Sequence, residues 1–206
     1  MSDEEHLEPP TPLIRHSGPR KRRFDPRRKD RIVDAALVVL TANGVVGTTL
    51  RGIAVEADVP LGSLTYHFSG MQDLLKAVFR KFVAVKLERL ERHLANCRSR
   101  AEATRQIMAM INEDASRPEA GLALSSEFQA MVLRDSDFLA LASEWIEGSS
   151  RILEPHFGPE AAQLLESLMV GLAFRKYTSP EDWPEGLLGI CTQLGTFGPG
   201  TPTPWA

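Results

Sequence analysis

At 206 residues the chain is long enough for one large domain or two small ones. Its 43% hydrophobic and 25% charged residues match an ordinary globule, which excludes wholesale disorder, a collagen-like repeat and a membrane bundle. A formal net charge of -3 would, taken whole, argue against a polyanionic partner. No apolar run approaches the roughly 18 residues that cross a bilayer. The acidic start Met1-Ser2-Asp3-Glu4-Glu5 does not read as a signal peptide. Two cysteines, Cys97 and Cys191, are too few for a disulfide framework and suit a reducing cytoplasm.

The charge is unevenly partitioned. Residues 1–14 carry Asp3, Glu4, Glu5 and Glu8 for a net of -4, residues 15–80 a net of +6, and residues 81–206 a net of -5. Most of the positive charge lies in one run from Arg20 to Arg31, with eight basic and two acidic side chains. Such an arm is an electrostatic footprint of DNA binding, and equally of a solvated tail.

In chain order, residues 1–19 read as a disordered tail rich in Pro, Thr and acid. Asp25-Pro26 predicts a helix start, an N-cap followed by proline. Ile32, Ala36, Leu37 and Leu40 then recur at helical spacing, and Asn43-Gly44 predicts the stop. A short second helix opens at Thr48-Thr49 and carries Leu50, Ile53, Ala54 and Ala57. After Asp58-Val59 comes a third, from Pro60 to about Phe68. Ser69 and Gln72 are spaced as a capping box for a long helix with Leu74, Leu75, Val78, Phe82, Val85 and Leu90 on its buried side. Further helices are predicted over 100–114, 119–133, 135–154, 159–176 and 185–194, followed by a loose tail over 195–206. The fold class is all-α.

Three helices over residues 25–68, the last two joined by a tight turn, have helix-turn-helix spacing. Val59, Leu64 and Phe68 form the buried side of the third, leaving Leu61, Gly62, Ser63, Thr65, Tyr66 and His67 outward. Those residues are small or flat enough for close approach, with donors interleaved. A spare structural helix would more often expose Lys and Glu.

This text resembles the N-terminal domain of the TetR family of bacterial transcriptional regulators. The matching stretches are Arg31-Ile32-Val33-Asp34-Ala35-Ala36, Asn43-Gly44, Thr48-Thr49-Leu50-Arg51-Gly52-Ile53-Ala54, Val59 through Phe68, and Met71-Gln72-Asp73-Leu74-Leu75. The resemblance implies that Thr49 contacts a phosphate and Arg51 a base edge or phosphate. It also implies that Leu61, Gly62, Ser63 and His67 face bases, and that Thr65 and Tyr66 anchor to phosphates or touch a thymine methyl. Two departures stand out. Asp58 occupies a turn position where the family often has Gly, and Met71 one where it often has Lys. Residues 32–80 carry a net of only -1, so the arm, with Arg20, Lys21, Arg22 and Arg23, is expected to supply much of the affinity.

The resemblance divides the chain into a tail (1–19), a helix-turn-helix DNA-binding domain with its basic arm (20–75), a helical effector-binding and dimerisation domain (76–194) and a second tail (195–206). It implies a homodimer through the last two long helices. Trp145, Ser149, Ile152, Ala161, Leu165, Leu168, Gly171 and Leu172 are the expected interface; the same stripes would also suit an intramolecular core. It implies a ligand pocket among Ile107, Met108, Met110, Ile111, Phe128, Met131 and Val132, residues that could equally fill a core. With no charged anchor evident, the expected effector is an apolar or mixed small molecule.

No phosphate-binding Gly loop, nucleophile elbow or HExxH is present, so no catalytic residue, cofactor or metal is expected. His93 and Cys97, four apart on one helix face, read as a structural or surface pair rather than as two metal ligands. The implied function is a cytoplasmic regulator, in the repressor case released from a palindromic double-stranded DNA operator by a small effector, with no membrane partner. An activator or a nonspecific architectural DNA-binding protein is the alternative.

Overall fold

The computed structural model describes residues 26–118 and 121–180. Among these the chain forms eight α-helices and no strand, as the apolar spacing predicts. The arm residues Arg20 to Arg23, both tails and the helix expected at 185–194 lie outside the described residues.

Helix α1 (Arg28–Gly47) buries Ile32, Val33, Ala35, Ala36 and Leu40. It starts two residues later than the Asp25-Pro26 pair suggests, with Arg27 at the N-cap. Gly44 breaks it as expected, at φ 66°, a backbone state that Gly adopts without a Cβ penalty. The Thr48 hydroxyl then donates to the Gly44 carbonyl at 2.7 Å. Helices α2 (Leu50–Glu56) and α3 (Leu61–His67) follow. Between them Asp58 takes a left-handed φ of 49°. Its amide donates to Val55 at 3.1 Å, and that of Val59 to Ala54 at 3.0 Å. This is a Schellman termination built on Asp where Gly is the usual solution.

Helix α4 (Met71–Leu94) corrects two expectations. The capping box does not form between Ser69 and Gln72. Gly70 is the N-cap residue, which moves the reciprocal partner one position on: the Ser69 amide donates to the Asp73 carboxylate at 3.0 Å. Val85, expected inside, is 44% exposed. The helix changes neighbours along its length, burying Leu74, Leu75, Val78, Phe79, Phe82 and Val83 first and Leu90 and Leu94 later; Val85 falls between the two stripes. Met71 does not reach outward but packs on the core.

Helix α5 (Arg100–Ser116) is capped by Ser99, whose side chain accepts from the Glu102 amide at 3.2 Å. Then come α6 (Leu122–Arg134), a 3-10 turn (Ser136–Phe138) capped by Asp135, α7 (Leu139–Phe157) and α8 (Pro159–Thr178). Gly148 lies inside α7 and lets α4 come close: a Cβ there would sit 2.6 Å from Leu87 Cδ1.

Two apolar clusters result. The first joins α1, α2, α3 and the first half of α4 to Leu124 and Phe128 of α6 and to Phe138 and Leu141. Phe79 packs at its centre, 4.9 Å from the Phe128 ring and 5.9 Å from that of Phe138. The expected division at 75/76 falls inside α4, and this cluster crosses it. The second cluster holds the end of α4 with α5, α7 and α8 through Leu90, Ile107, Ile111, Leu153, Phe157 and Leu165. Among the described residues no helix is long and apolar enough to cross a membrane.

Candidate nucleic-acid interface and effector cavity

On α3, Leu64 is 1% exposed and Phe68, just beyond the helix, 4%; the helix therefore has one fixed inner side. Val59 is partly buried against the same cluster. The other side carries every residue expected there. Leu61, Gly62, Thr65 and Tyr66 are exposed, and Ser63 and His67 half-buried. Tyr66, 83% exposed, stands edge-on to the His67 ring at 5.0 Å, which limits the freedom of both. The Thr65 hydroxyl donates to the Gly62 carbonyl at 3.2 Å, leaving its oxygen lone pairs and methyl outward. At Gly62 an added Cβ would meet nothing within 4 Å. The interior of the protein therefore does not require a glycine there.

Thr49 is the N-cap of α2. Its side-chain oxygen accepts from the Gly52 amide at 3.1 Å, so its O–H remains available to donate. Arg51 and Leu61 border one shallow hollow with Asp58 between the two helices, and Arg51 is exposed. The residues expected to meet DNA thus come together from α2 and α3. The Lys29 ammonium lies 5.5 Å from the Phe68 ring centre, holding the start of α1 against the end of α3.

The second feature is a pair of cavities between α4, α5, α6, α7 and α8. An inner one of about 50 Å³ is lined by Lys86, Leu90, Met110, Ile111, Asp114, Leu122, Ser125, Trp145, Ser149, Glu166, Met169, Val170 and Ala173. An outer one of about 430 Å³ is lined by Phe128, Gln129, Val132, Leu133, Ala142, Trp145, Ile146, Glu166, Ser167 and Val170. Of the pocket residues expected from sequence, Ile111 lines the inner cavity and Phe128 and Val132 the outer. Ile107 and Met108 are instead core, 1% and 6% exposed, and Met131 packs against the first cluster. Met110 lines the inner cavity as well.

The expected interface residues also separate. Ala161 and Leu165 are each 2% exposed and Ser149 4%: their contacts are within the chain, because α7 and α8 pack on each other and on α5. Trp145 stacks on Phe128 at 5.6 Å; Ile152 and Leu172 are half-buried against the second cluster. Leu168 and Gly171 face outward, beside Leu164, Phe174 and Tyr177, which are 51%, 55% and 53% exposed.

Three charged side chains, Lys86, Asp114 and Glu166, border the cavities, where no charged group stands out in the sequence. Lys86 is 3.0 Å from Asp114, and Asp114 also pairs with Arg89, which reaches Glu113 at 2.8 Å. Burial alone would lower the Arg89 pKa, but the hydrogen bond to Asp114 and the neighbouring carboxylates raise it above the ordinary value. Glu166 has no cationic partner among the described residues, and burial lifts its carboxyl above the ordinary range. A signal for this is present in the sequence: Glu166, Met169, Val170 and Ala173 fall at i, i+3, i+4 and i+7, which sets a carboxylate on an apolar stripe. Elsewhere, His93 Nδ1 is 3.1 Å from Gln106 Oε1, and the Cys97 thiol donates to the His93 carbonyl at 3.6 Å. Among the described residues no three His, Cys, Asp or Glu could hold a metal ion.

The family model for bacterial regulatory proteins of the tetR family matches residues 32–78. The crystal structure of SCO7518 from Streptomyces coelicolor A3(2) superposes with a TM-score of 0.75 at 31% identity, over 83% of this chain and 99% of that one. This chain belongs to the TetR family. The multidrug binding protein EbrR complexed with ethidium aligns with a TM-score of 0.66 and 28% identity over 81% of this chain and 98% of that chain. The HTH-type transcriptional regulator TtgW of Pseudomonas putida is 46% identical over 50 residues, 24% of this chain and 37% of that protein. The match thus spans little more than a third of that curated TetR-type relative. The text shared in that 50-residue match is of the length of the helix-turn-helix unit; the cavity rests on the chain's own residues.

Proposed function

We propose that the chain is a homodimeric, sequence-specific DNA-binding regulator, in its simplest form a repressor released from a palindromic operator by a small molecule bound between α4 and α8. The observation that carries this reading is the outer side of α3. Small, aromatic and hydroxyl-bearing side chains face out there from a helix whose inner side is fully committed to the core. Such a surface can enter a major groove, with Gly62 and Ser63 allowing close approach and Tyr66 and His67 supplying donors. Thr49 and Arg51 would hold the backbone on either side.

Dimerisation would use the outward apolar residues of α7 and α8, Leu139, Leu164, Leu168, Phe174 and Tyr177, with Gly171 admitting a close backbone. A two-fold dimer would set its recognition helices about 34–36 Å apart or at a related spacing. A route from cavity to DNA would run through α4 and α6. Helix α4 carries Leu74 and Leu75 in the first cluster and Leu90 at the inner cavity. Phe128 belongs at once to the first cluster and to the outer cavity wall. A ligand that displaces Phe128 or Trp145 would move α6 against α1, changing the distance between recognition helices. The crystallised complexes of EbrR with ethidium and proflavin support a small aromatic effector.

Selection of bound DNA from a random pool tests the reading, followed by a screen for compounds that release the selected site. Enrichment of a palindrome supports it. Binding without sequence preference would favour an architectural role instead.

A further inference from the structure

The outward side of α3 is bracketed by two cations, one at each end. Arg51 borders the hollow beside Leu61, where the helix begins, and Lys29 lies against Phe68, where it ends. We propose that Lys29, projecting from α1, is a second phosphate anchor of the DNA interface, holding the backbone on the groove wall opposite Arg51. The proposal rests on the reading of α3 as the DNA-contacting helix and adds the residue that fixes its far end.

Three observations carry it. First, the charge of Lys29 is not consumed within the chain. Lys76 pairs with Asp137 and Lys81 with Asp34, whereas no carboxylate among the described residues pairs with Lys29 or Arg51. Lys29 is the second residue of α1, where the positive end of the helix dipole disfavours a cation and favours an acid. Asp30 is the one acid of that first turn, and Arg28 and Arg31 stand beside it. Such an excess of positive charge at a helix start is unfavourable in the free chain, and a polyanion relieves it.

Second, the ammonium is held rather than loose. It lies 5.5 Å from the centre of the Phe68 ring, within cation–π range, and that ring is 4% exposed and part of the first cluster. A long side chain on such a platform has less rotamer freedom to lose when it meets a ligand. Lys29 itself is exposed, so its ammonium keeps donors open to solvent. Third, the next element brings no cation to this end of α3. The Ser69 amide and hydroxyl both donate to the Asp73 carboxylate, at 3.0 and 3.4 Å. Met71-Gln72-Asp73-Leu74 opens α4 without a basic residue, and its own acid stands where an anion would bind. The spacing agrees with two walls of one groove. The seven residues of α3 span about 10 Å at about 1.5 Å each, on the order of the roughly 12 Å width of a major groove.

The test titrates full-length protein onto the selected operator by fluorescence anisotropy, over roughly 0.05 to 0.4 M monovalent salt, where the counterion term is large. Lys29→Gln should flatten the slope of log K against log salt by about 0.9 per protomer, so its loss of affinity shrinks from about 15-fold per protomer at the low end to about 2-fold at the high end. Lys29→Arg should hold both slope and affinity, because a guanidinium keeps the charge and stacks on the same ring. A random-pool selection with Lys29→Gln should enrich the wild-type site, since phosphate contacts carry no base information. Ethylation interference should lose one phosphate per half-site in Lys29→Gln, on the strand opposite the one lost in Arg51→Gln. An unchanged slope and Kd in Lys29→Gln, or a lost phosphate on the same strand as that of Arg51, overturns the proposal and leaves the regulator reading standing. A loss equal at every salt concentration, with a lowered Tm, also overturns it and makes Lys29 a clamp between α1 and α3. Should no site be enriched, the same titrations on a random duplex separate the two: a slope flattened by Lys29→Gln supports the anchor while sequence-specific regulation fails. No binding to any duplex overturns both.

Discussion

Gly62 offers a perturbation whose effects on folding and on DNA binding should have opposite signs. It is the second residue of α3, and a Cβ built there meets nothing within 4 Å. Gly62→Ala therefore introduces no clash inside the chain, and it removes backbone entropy from the unfolded state. Alanine is favoured over glycine by about 1 kcal/mol in a helix interior, and about half of that is reasonable in a first turn. For a chain of this size, about 0.5 kcal/mol raises Tm by roughly 1–2 °C. On the operator the same methyl has to fit between α3 and the groove. Overfilling a close-packed contact costs about 1–3 kcal/mol, or roughly 5- to 150-fold in Kd. Thermal melting together with fluorescence anisotropy on the selected operator reads both effects. An unchanged Kd beside the raised Tm would refute the argument, since it would mean that the N-terminal half of α3 does not come within a methyl group of DNA.

Four further outcomes are expected. Asp58→Gly relieves the left-handed strain in the turn before α3 and should add about 1 kcal/mol of stability, a Tm gain of some 2–4 °C; a lower Tm would mean that the Asp58 side chain stabilises the turn by more than its backbone strains it. Tyr66→Ala should weaken operator binding with Tm nearly unchanged, because the ring is 83% exposed; a collapse of the fold would make it a core residue. Removing residues 1–23 deletes Arg20, Lys21, Arg22 and Arg23, and should flatten the slope of log K against log salt by up to about 3–4, at roughly 0.9 for each phosphate that is no longer neutralised; an unchanged slope would show that the arm does not touch DNA. Glu166→Gln should melt above wild type at neutral pH without ligand. Because burial raises this carboxyl in the folded chain, the fold holds the proton more tightly than the unfolded chain does, so wild-type stability falls as pH rises through the carboxyl range. The gap between the two proteins should narrow on acidification; a gap independent of pH would show that Glu166 does not titrate with folding.

The N-terminal half is legible because each signal there is local. The repeat of four between Ile32, Ala36 and Leu40 sets the face of α1, Gly44 its break, and Leu64 and Phe68 the inner side of α3. The tolerance of Asp for a left-handed turn accounts for Asp58. The second half is less legible, because a run of apolar residues does not say what it packs against. Ile107 and Met108 look no different in sequence from Ile111, yet only Ile111 borders a cavity. Ala161 and Leu165 form a stripe as regular as any dimer seam, and α5 and α7 consume it within the chain. Val85 follows the helical period and is still exposed, since α4 exchanges one set of neighbours for another near its middle. Glu166 differs in sequence from the other acids of this half only by its place on an apolar stripe; that no cation among the described residues answers it is a property of the tertiary fold.

Helix α4 carries a consequence for anyone who would exchange modules between members of this family. The helix-turn-helix reads as an interchangeable unit, and residue 75 reads as the natural joint. A chimera cut there would keep α1 to α3 and lose Val78, Phe79, Phe82 and Val83, together with Leu124, Phe128, Phe138 and Leu141, from the cluster that holds those helices. The transplantable piece is discontinuous: residues 26–83 need the α6 stretch and the start of α7 as their second wall. If the outward residues of α3 read an operator as proposed, specificity is therefore better changed by grafting those residues one at a time than by splicing domains.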